Sequence, residues 1–176
     1  RYLRPGIGKG PAAARNAGWR SSAAPVIAFT DDDTIPAVDW LAEGLGAMAE
    51  GVDALAGAIR VPIPNPCTDH QWNTYGLEKA EFATANAFVR REALERVGGF
   101  DERFRSVSRE DADLALRVMA QGMRLIRGRR RVVHPVGPAG PWVSVARQRG
   151  TADDVLMRAT HGRDWRIRAR VPEGAL

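Results

Sequence analysis

The sequence predicts an α/β fold, and three stretches carry this prediction. Residues 26–30 form a short apolar run typical of a buried strand, and residues 54–61 form a second one. Residues 110–121 carry apolar side chains at helical spacing, and Gly122 follows them where a helix is expected to end. Strands that alternate with helices indicate an α/β domain.

The elements of the first half follow the same alternation. Residues 11–20 are alanine-rich with proline in the first turn, which predicts a helix. Residues 40–50 show apolar side chains at helical spacing. The segment after the second strand is expected to be a loop, because it carries Pro62, Pro64 and Pro66.

The second half continues with shorter elements. They are an amphipathic stretch at 69–81, an extended piece at 82–89, a helix at 91–97, strand residues at 125–126 and 131–134, and a helical pattern at 142–160. Gly98 follows the helix at 91–97, where glycine allows a left-handed C-cap. We expect one domain over residues 1–134 and a C-terminal helical extension over residues 135–176.

Composition limits the classes of protein that the chain can represent. Its 176 residues are 44% hydrophobic and 27% charged, which is typical of a globular domain with a hydrophobic core. The single cysteine, Cys67, excludes an internal disulfide and a cysteine-built zinc site. Apolar runs span only a few residues, so no transmembrane helix is predicted.

Arginine supplies nearly all of the positive charge, because Lys9 and Lys79 are the only lysines among 26 basic residues. This excess fits either a GC-rich genome or a surface that meets anions.

Three consecutive carboxylates, Asp31, Asp32 and Asp33, directly follow the first strand. Their mutual repulsion requires a cation or hydrogen-bond donors. Ligands of open α/β sheets collect at the carboxyl ends of strands, and oxygen ligands suit Mg²⁺ or Mn²⁺. The same run also fits an acidic turn that caps the next helix, a role open to Thr34 and Asp39. The residues alone leave both interpretations open.

Two further features have a structural and a chemical interpretation. Glu110 and Asp111 open the helix at 110–121, where acids and a capping Ser108 are favoured by the helix dipole. A carboxylate at this place also fits a general base. His134 ends an apolar run, where it is either a structural side chain or a metal ligand.

The order of these motifs resembles the family 2 glycosyltransferases of GT-A fold. The motifs are, in order, ARNAG at 14–18, DDD at 31–33, TANAFVRR at 84–91, VGGFDE at 97–102, EDADLALR at 110–117 and VVH at 132–134. The resemblance extends from about Gly8 to His134. It implies a Rossmann-like mixed sheet with flanking helices.

The resemblance also implies an activity. Members transfer a sugar, typically a hexose, from a nucleotide-diphosphate sugar to an acceptor hydroxyl with inversion, using Mn²⁺ or Mg²⁺. By this resemblance Asp111 is the general base, with Glu110 beside it. The implied metal ligands are Asp33, Asp31 and His134.

The resemblance also implies which residues lie near the donor nucleotide sugar. Asp31 and Asp32 are implied near the ribose and diphosphate, Asn86 and Arg91 in the wall that meets donor sugar and acceptor, and Arg15 at the nucleotide. The family begins with strands that precede residue 1, so we expect an N-terminally truncated domain.

The resemblance further implies a bacterial enzyme of cell-envelope polysaccharide synthesis, in the cytoplasm or at the inner face of the membrane. The acceptor is then a carbohydrate or a lipid-linked sugar. The arginine-bearing C-terminal helix fits contact with a membrane surface and fits equally well packing on the core.

Three alternatives remain from the residues. A metal-dependent nucleotidyltransferase also pairs clustered aspartates with a cation, and a truncated, inactive glycosyltransferase-like domain would keep the motifs. A basic nucleic-acid-binding module is disfavoured because no binding motif or interleaved aromatic residue accompanies the basic patch at Arg124, Arg127, Arg129, Arg130 and Arg131.

Overall fold

A computed structural model describes residues 10–49, 51–106, 109–140, 143 and 151–171. In chain order its elements are α1 (Pro11–Arg20), β1 (Val26–Phe29), β2 (Ile35–Pro36), α2 (Trp40–Ala47), β3 (Ala54–Arg60), α3 (Asp69–Tyr75), β4 (Ala87–Arg90), α4 (Arg91–Val97), α5 (Glu110–Ala120), β5 (Leu125–Val133), α6 (Thr151–His161) and α7 (Trp165–Arg168). Two 3₁₀ turns, Gly76–Lys79 and Thr84–Asn86, separate α3 from β4. The predicted α/β class is confirmed.

The strands form one mixed sheet in the order β1-β4-β3-β5-β2. β4 is antiparallel to both β1 and β3, and β3 is parallel to β5. The strands β1, β3 and β5 therefore run in the same direction. Their carboxyl ends meet at one edge of the sheet, where ligands of open α/β sheets bind.

Alternating side chains of the strands enter two different cores, because successive strand residues point to opposite faces. Ala56 and Val89 pack with α1, α4 and α5 on one face. Leu55 and Phe88 pack with Trp40 of α2 on the other face. The sheet is thus covered by helices on both sides, as the sequence predicted.

The C-terminal helices pack on the outer side of α5. Leu116 of α5 shares a third buried cluster with Met157 of α6 and Trp165 of α7. A hydrogen bond of 2.8 Å joins His161 Nε2 to Asp113 Oδ1, and both side chains are buried. Of the two interpretations of this segment, packing on the core is the one observed for residues 151–171.

Several element boundaries differ from the sequence prediction. The extended piece expected at 82–89 contains the 3₁₀ turn Thr84–Asn86, and the strand begins only at Ala87. The two strand pieces at 125–126 and 131–134 are one strand, β5, because parallel pairing with β3 continues across the arginine-rich middle after a register shift. The short strand β2 and the helix α7 had no sequence signal.

Two predictions involve residues that the structure does not describe. The helical pattern predicted at 142–160 lies partly outside the described residues, as does the capping role of Ser108. In the described part of the chain, no helix has both the length and the apolar character that a bilayer crossing requires.

Candidate active site

Asp31, Asp33 and His134 converge at the carboxyl edge of the sheet. One possible ligand atom from each lies within 4.8 Å of the other two. Asp31 and Asp33 follow β1, and His134 follows β5, so strand direction brings together residues that are a hundred positions apart. Two carboxylates and an imidazole form a donor set that could hold a divalent cation.

The orientation of His134 fits this donor set. Its Nε2 atom lies 3.5 Å from Asp33 Oδ1, while its Nδ1 atom lies 3.3 Å from the carbonyl oxygen of Pro135. A proton on Nδ1 donated to that carbonyl leaves the Nε2 lone pair towards the aspartates, as in histidines that ligate metals.

The aspartate run does not cap α2. That helix begins at Trp40, and the side chain of the preceding Asp39 makes no capping hydrogen bond. Thr34 instead closes the turn after the aspartates, since its hydroxyl donates to the Asp31 carbonyl oxygen at 2.8 Å. Asp31 and Asp33 are therefore held in a turn whose carboxylates serve no helix end.

Arg15 joins the two acidic groups of the site. Its guanidinium donates to Glu110 Oε1 at 2.7 Å and to Asp31 Oδ1 at 3.1 Å, and it lies 3.9 Å from Asp111 Oδ1. Burial lowers the pKa of Arg15, but the nearby carboxylates outweigh this effect and raise the pKa above its usual value. The guanidinium is thus a fixed positive charge between α5 and the turn after β1.

Glu110 is buried, with 2% of its side chain exposed. Burial, and then repulsion from Asp111, raise the pKa of Glu110 to about 7, although Arg15 opposes this rise. Glu110 therefore exchanges its proton near neutral pH and is shielded from solvent.

Asp111 is more accessible, with 23% of its side chain exposed. Both carboxylate oxygens accept hydrogen bonds from Thr84, whose backbone N–H donates at 3.0 Å and whose hydroxyl donates at 3.0 and 3.1 Å. Burial raises the pKa of Asp111 above its usual value, although Arg15 and the hydrogen bonds from Thr84 oppose this rise. Of the two acids at the start of α5, Asp111 is the more exposed to solvent.

Asp32 is exposed between the two clustered aspartates. The contact of Asp32 with the nucleotide sugar remains a prediction. Arg15, predicted at the nucleotide, also lines an open groove of about 330 Å³ between α1 and the outer edge of β1. Its contact with a nucleotide is likewise a prediction.

Asn86 does not occupy the place that the resemblance implied. It is fully buried, and its side chain accepts from Trp40 Nε1 and donates to the Ala58 carbonyl oxygen, both at 2.9 Å. Gly57 makes room for it, because a Cβ atom there would lie 2.1 Å from Asn86 Nδ2. Asn86 therefore connects α2 to β3 and is not a surface that meets the donor.

Arg91 is also outside the site. Phe29 pairs with Ala87, and the strand then runs away from the aspartates, so Arg91 lies about 13 Å further along. Its guanidinium donates to the carbonyl oxygens of Trp19, Ser22 and Ala24. The geometry does not support contact with the nucleotide sugar, because this side chain fastens α1 to the opposite edge of the sheet.

Sequence reasoning missed Thr84 as the partner of Asp111. The two residues are separated by 27 positions, and their contact depends on the 3₁₀ turn at Thr84–Asn86. No residue pattern signals such a contact, because a threonine in an apolar segment is typical of an ordinary core position.

Known glycosyltransferases are similar to this chain. The family model described as glycosyl transferase family group 2 matches residues 67–150. The pre-mycofactocin glycosyltransferase of Mycobacterium tuberculosis is 32% identical over 133 residues, covering 66% of this chain and 28% of that protein. The glycosyltransferase AglE of Haloferax volcanii is 32% identical over 102 residues, covering 52% of this chain and 34% of that protein.

A solved structure shares the fold. It is the mannosyltransferase PcManGT from Pyrobaculum calidifontis in complex with GDP-Man and Mn²⁺, with a TM-score of 0.56 and 25% identity. The match covers 79% of this chain and 40% of the mannosyltransferase.

The carboxyl edge of the sheet with Asp31, Asp33 and His134 is called the acidic edge below. The mixed sheet with its flanking helices matches a glycosyltransferase domain of GT-A fold. The family match, the relatives and the structural neighbour together support a family 2 glycosyltransferase. It spans about a third or less of the length of the two curated relatives described above.

Proposed function

We propose that the complete protein transfers a sugar from a nucleoside-diphosphate sugar to an acceptor hydroxyl, with inversion and with a divalent cation. The observation that carries this proposal is the convergence of Asp31, Asp33 and His134 at the carboxyl edge of the sheet. Arg15 connects that group to Glu110, and Asp111 lies beside it. A cation position and an accessible base therefore share one edge.

Asp31, Asp33 and His134 would hold Mn²⁺ or Mg²⁺. The cation would neutralise the diphosphate leaving group, an effect that contributes several kcal/mol in such sites. The mannosyltransferase of similar fold is in complex with GDP-Man and Mn²⁺, which supports trying this donor and this ion first.

Asp111 would remove the proton from the acceptor hydroxyl as that oxygen attacks the anomeric carbon. Thr84 orients its carboxylate through two donors, and Arg15 keeps a positive charge nearby. General-base catalysis of this kind contributes about 10²–10⁴-fold. Glu110, beside Asp111 and buried, would adjust the charge of the site and not reach the acceptor.

We also propose an acceptor class, a cellular location and a division of the chain. We place the acceptor among carbohydrates or lipid-linked sugars, and the reaction in the cytoplasm or at the inner face of a bacterial membrane, in cell-envelope polysaccharide synthesis. We divide the chain into a glycosyltransferase part at 1–134 and a helical extension at 135–176. The packing of α6 and α7 on α5 supports an extension that is fixed to the domain.

The test uses the full-length protein with Mn²⁺ and a panel of nucleotide sugars and nucleoside triphosphates. We expect hydrolysis of a nucleotide sugar, beginning with GDP-mannose, and release of the inverted anomer detected by NMR. Asp111→Asn should lower the rate by about 10²–10⁴-fold. Hydrolysis of a nucleoside triphosphate alone would point to nucleotidyl transfer, and near wild-type rates for Asp111→Asn would exclude it as the base.

A further inference from the structure

An aromatic pair on α3, outside the acidic site, consists of the exposed Trp72 and the half-buried Tyr75. The rings of Trp72 and Tyr75 stack with centroids 5.7 Å apart and an angle of 28° between their planes. Trp72 is 59% exposed, although tryptophan is usually well buried. The ammonium group of Lys79 lies 5.8 Å from the Tyr75 ring centroid.

The pair is mounted on a short helix that is fixed at its start. Thr68 and Gln71 form a capping box: Thr68 Oγ1 accepts from Gln71 N at 3.3 Å, and Gln71 Oε1 accepts from Thr68 N at 2.8 Å. A helix of seven residues needs such support, because short helices are marginal in water. The two rings are thus held in place before any ligand binds.

Hydrogen bonds connect α3 and the turn after it to the acidic edge. Glu78, in the turn after α3, accepts from the Val61 N–H at 2.7 Å. The backbone carbonyl oxygen of the preceding residue, Arg60, accepts from the His134 backbone N–H at 2.8 Å. Trp72 and Glu78 are six residues apart along helical backbone, which is about 10 Å. The aromatic pair therefore belongs to the rim of the same sheet edge.

The chain continues from this turn to the other side of the site. Thr84, five residues beyond Lys79, donates to the carboxylate of Asp111. Along the chain, the segment that carries the aromatic pair therefore connects the strand end next to His134 to the residue that orients Asp111.

The chemistry of the pair selects the kind of ligand. Aromatic faces carry partial negative charge, so they attract the polarised C–H groups on the flat face of a pyranose ring. A phosphate-rich ligand fits less well, because the carboxylates of Asp69 and Glu78 accompany the single cation Lys79 in this segment.

We propose that Trp72 and Tyr75 form a stacking platform for a carbohydrate acceptor, which positions its hydroxyl towards Asp111. This inference rests on the proposed transfer reaction and adds a second subsite to it. The platform binds the acceptor and takes no part in holding the donor diphosphate.

The test measures binding of the full-length protein to immobilised oligosaccharides of mannose, glucose, galactose and N-acetylglucosamine. Trp72→Ala should weaken capture about tenfold, as expected for the loss of an aromatic anchor. Trp72→Phe keeps a ring and should retain most of the binding. Leu41→Ala, which removes an exposed apolar side chain on α2, is the matched control and should bind like the wild type.

Two outcomes would overturn the platform. One is that the wild-type protein captures none of these oligosaccharides. The other is equal capture by the wild type and Trp72→Ala. A parallel arm uses phosphatidylglycerol vesicles, and loss of vesicle binding without loss of glycan binding in Trp72→Ala would assign the rings to a membrane surface instead. Donor hydrolysis by the wild-type protein, measured without acceptor, tests the transfer reaction separately.

Discussion

The guanidinium of Arg15 lies 2.7 Å from the carboxylate of Glu110, and this buried pair joins the two acidic motifs of the site. The same guanidinium reaches Asp31 at 3.1 Å. A charge pair with one partner almost fully buried is costly to break, because the remaining charge is left uncompensated. The pair therefore fixes the position of the start of α5 relative to the turn after β1.

The raised pKa of Glu110 predicts a pH-dependent stability. Between its usual pKa of 4.5 and about 7, the folded protein binds this proton more tightly than the unfolded chain. The contribution of Glu110 to the free energy of unfolding is therefore fully present below pH 4.5. It decreases by about 3 kcal/mol as pH rises through 7. Glu110→Gln should remove this decrease.

The measurement is the free energy of unfolding in urea at pH 5 and pH 8. The stability of Glu110→Gln relative to wild type should rise by a few kcal/mol from pH 5 to pH 8. Glu92→Gln, at an exposed position of α4, is the control and should show no such change. A relative stability that is constant with pH would contradict the burial-driven rise in the pKa of Glu110.

Thr84→Val should change the pH dependence of transfer. The hydroxyl of Thr84 donates to Asp111, and this hydrogen bond lowers the pKa of the carboxyl group. Its loss should raise that pKa further, since the hydrogen bond stabilises the ionised form of the carboxyl group. Because the ionised base is the active form, the acid limb of the rate profile should move to higher pH.

The control for this experiment is Thr84→Ser, which keeps the hydroxyl and should keep the wild-type profile. Profiles of kcat against pH for the three proteins give the comparison. A Thr84→Val protein with a lower rate but an unmoved acid limb would show that Thr84 serves packing alone.

Removing a ligand from the acidic edge should weaken cation binding. His134→Ala and Asp33→Asn should each bind Mn²⁺ at least tenfold more weakly, since even the loss of an outer partner costs 10–100-fold. Asp32→Asn is the matched control, because Asp32 is exposed next to Asp33 but is not part of the cluster. Electron paramagnetic resonance of free Mn²⁺ measures all three affinities, and equal weakening by Asp32→Asn would indicate a diffuse charge effect.

Gly57→Ala should destabilise the fold. The added Cβ atom would lie 2.1 Å from Asn86 Nδ2, and Asn86 holds Trp40 and Ala58 through buried hydrogen bonds. We expect a loss of about 1–3 kcal/mol, as is usual for overpacking. Gly46→Ala in α2 is the control, because a Cβ atom there meets nothing within 4 Å, and it should be neutral or stabilising. Thermal unfolding compares the two, and equal melting temperatures would contradict the role of Gly57.

The sequence determined much of the fold because its signals are local. Helices α1, α4 and α5 appear at the positions that periodicity, proline and glycine predicted. The strand before the aspartates was equally visible, because four consecutive residues with apolar side chains are sufficient to signal it. The order of the motifs, which is also a property of the chain alone, indicated the family.

Only the tertiary structure decided which of the motif residues meet. Asn86 and Arg91 belong to a motif of the family, yet one is sealed in the core and the other lies at the far edge of the sheet. Thr84 opens the same motif and had no predicted role, yet it donates a hydrogen bond to Asp111. The physical reason is that a residue's type and local period set its secondary structure, whereas strand order and direction set its neighbours. Arg15 and Glu110 are 95 positions apart, and they become a pair only because α1 and α5 share the core on one face of the sheet.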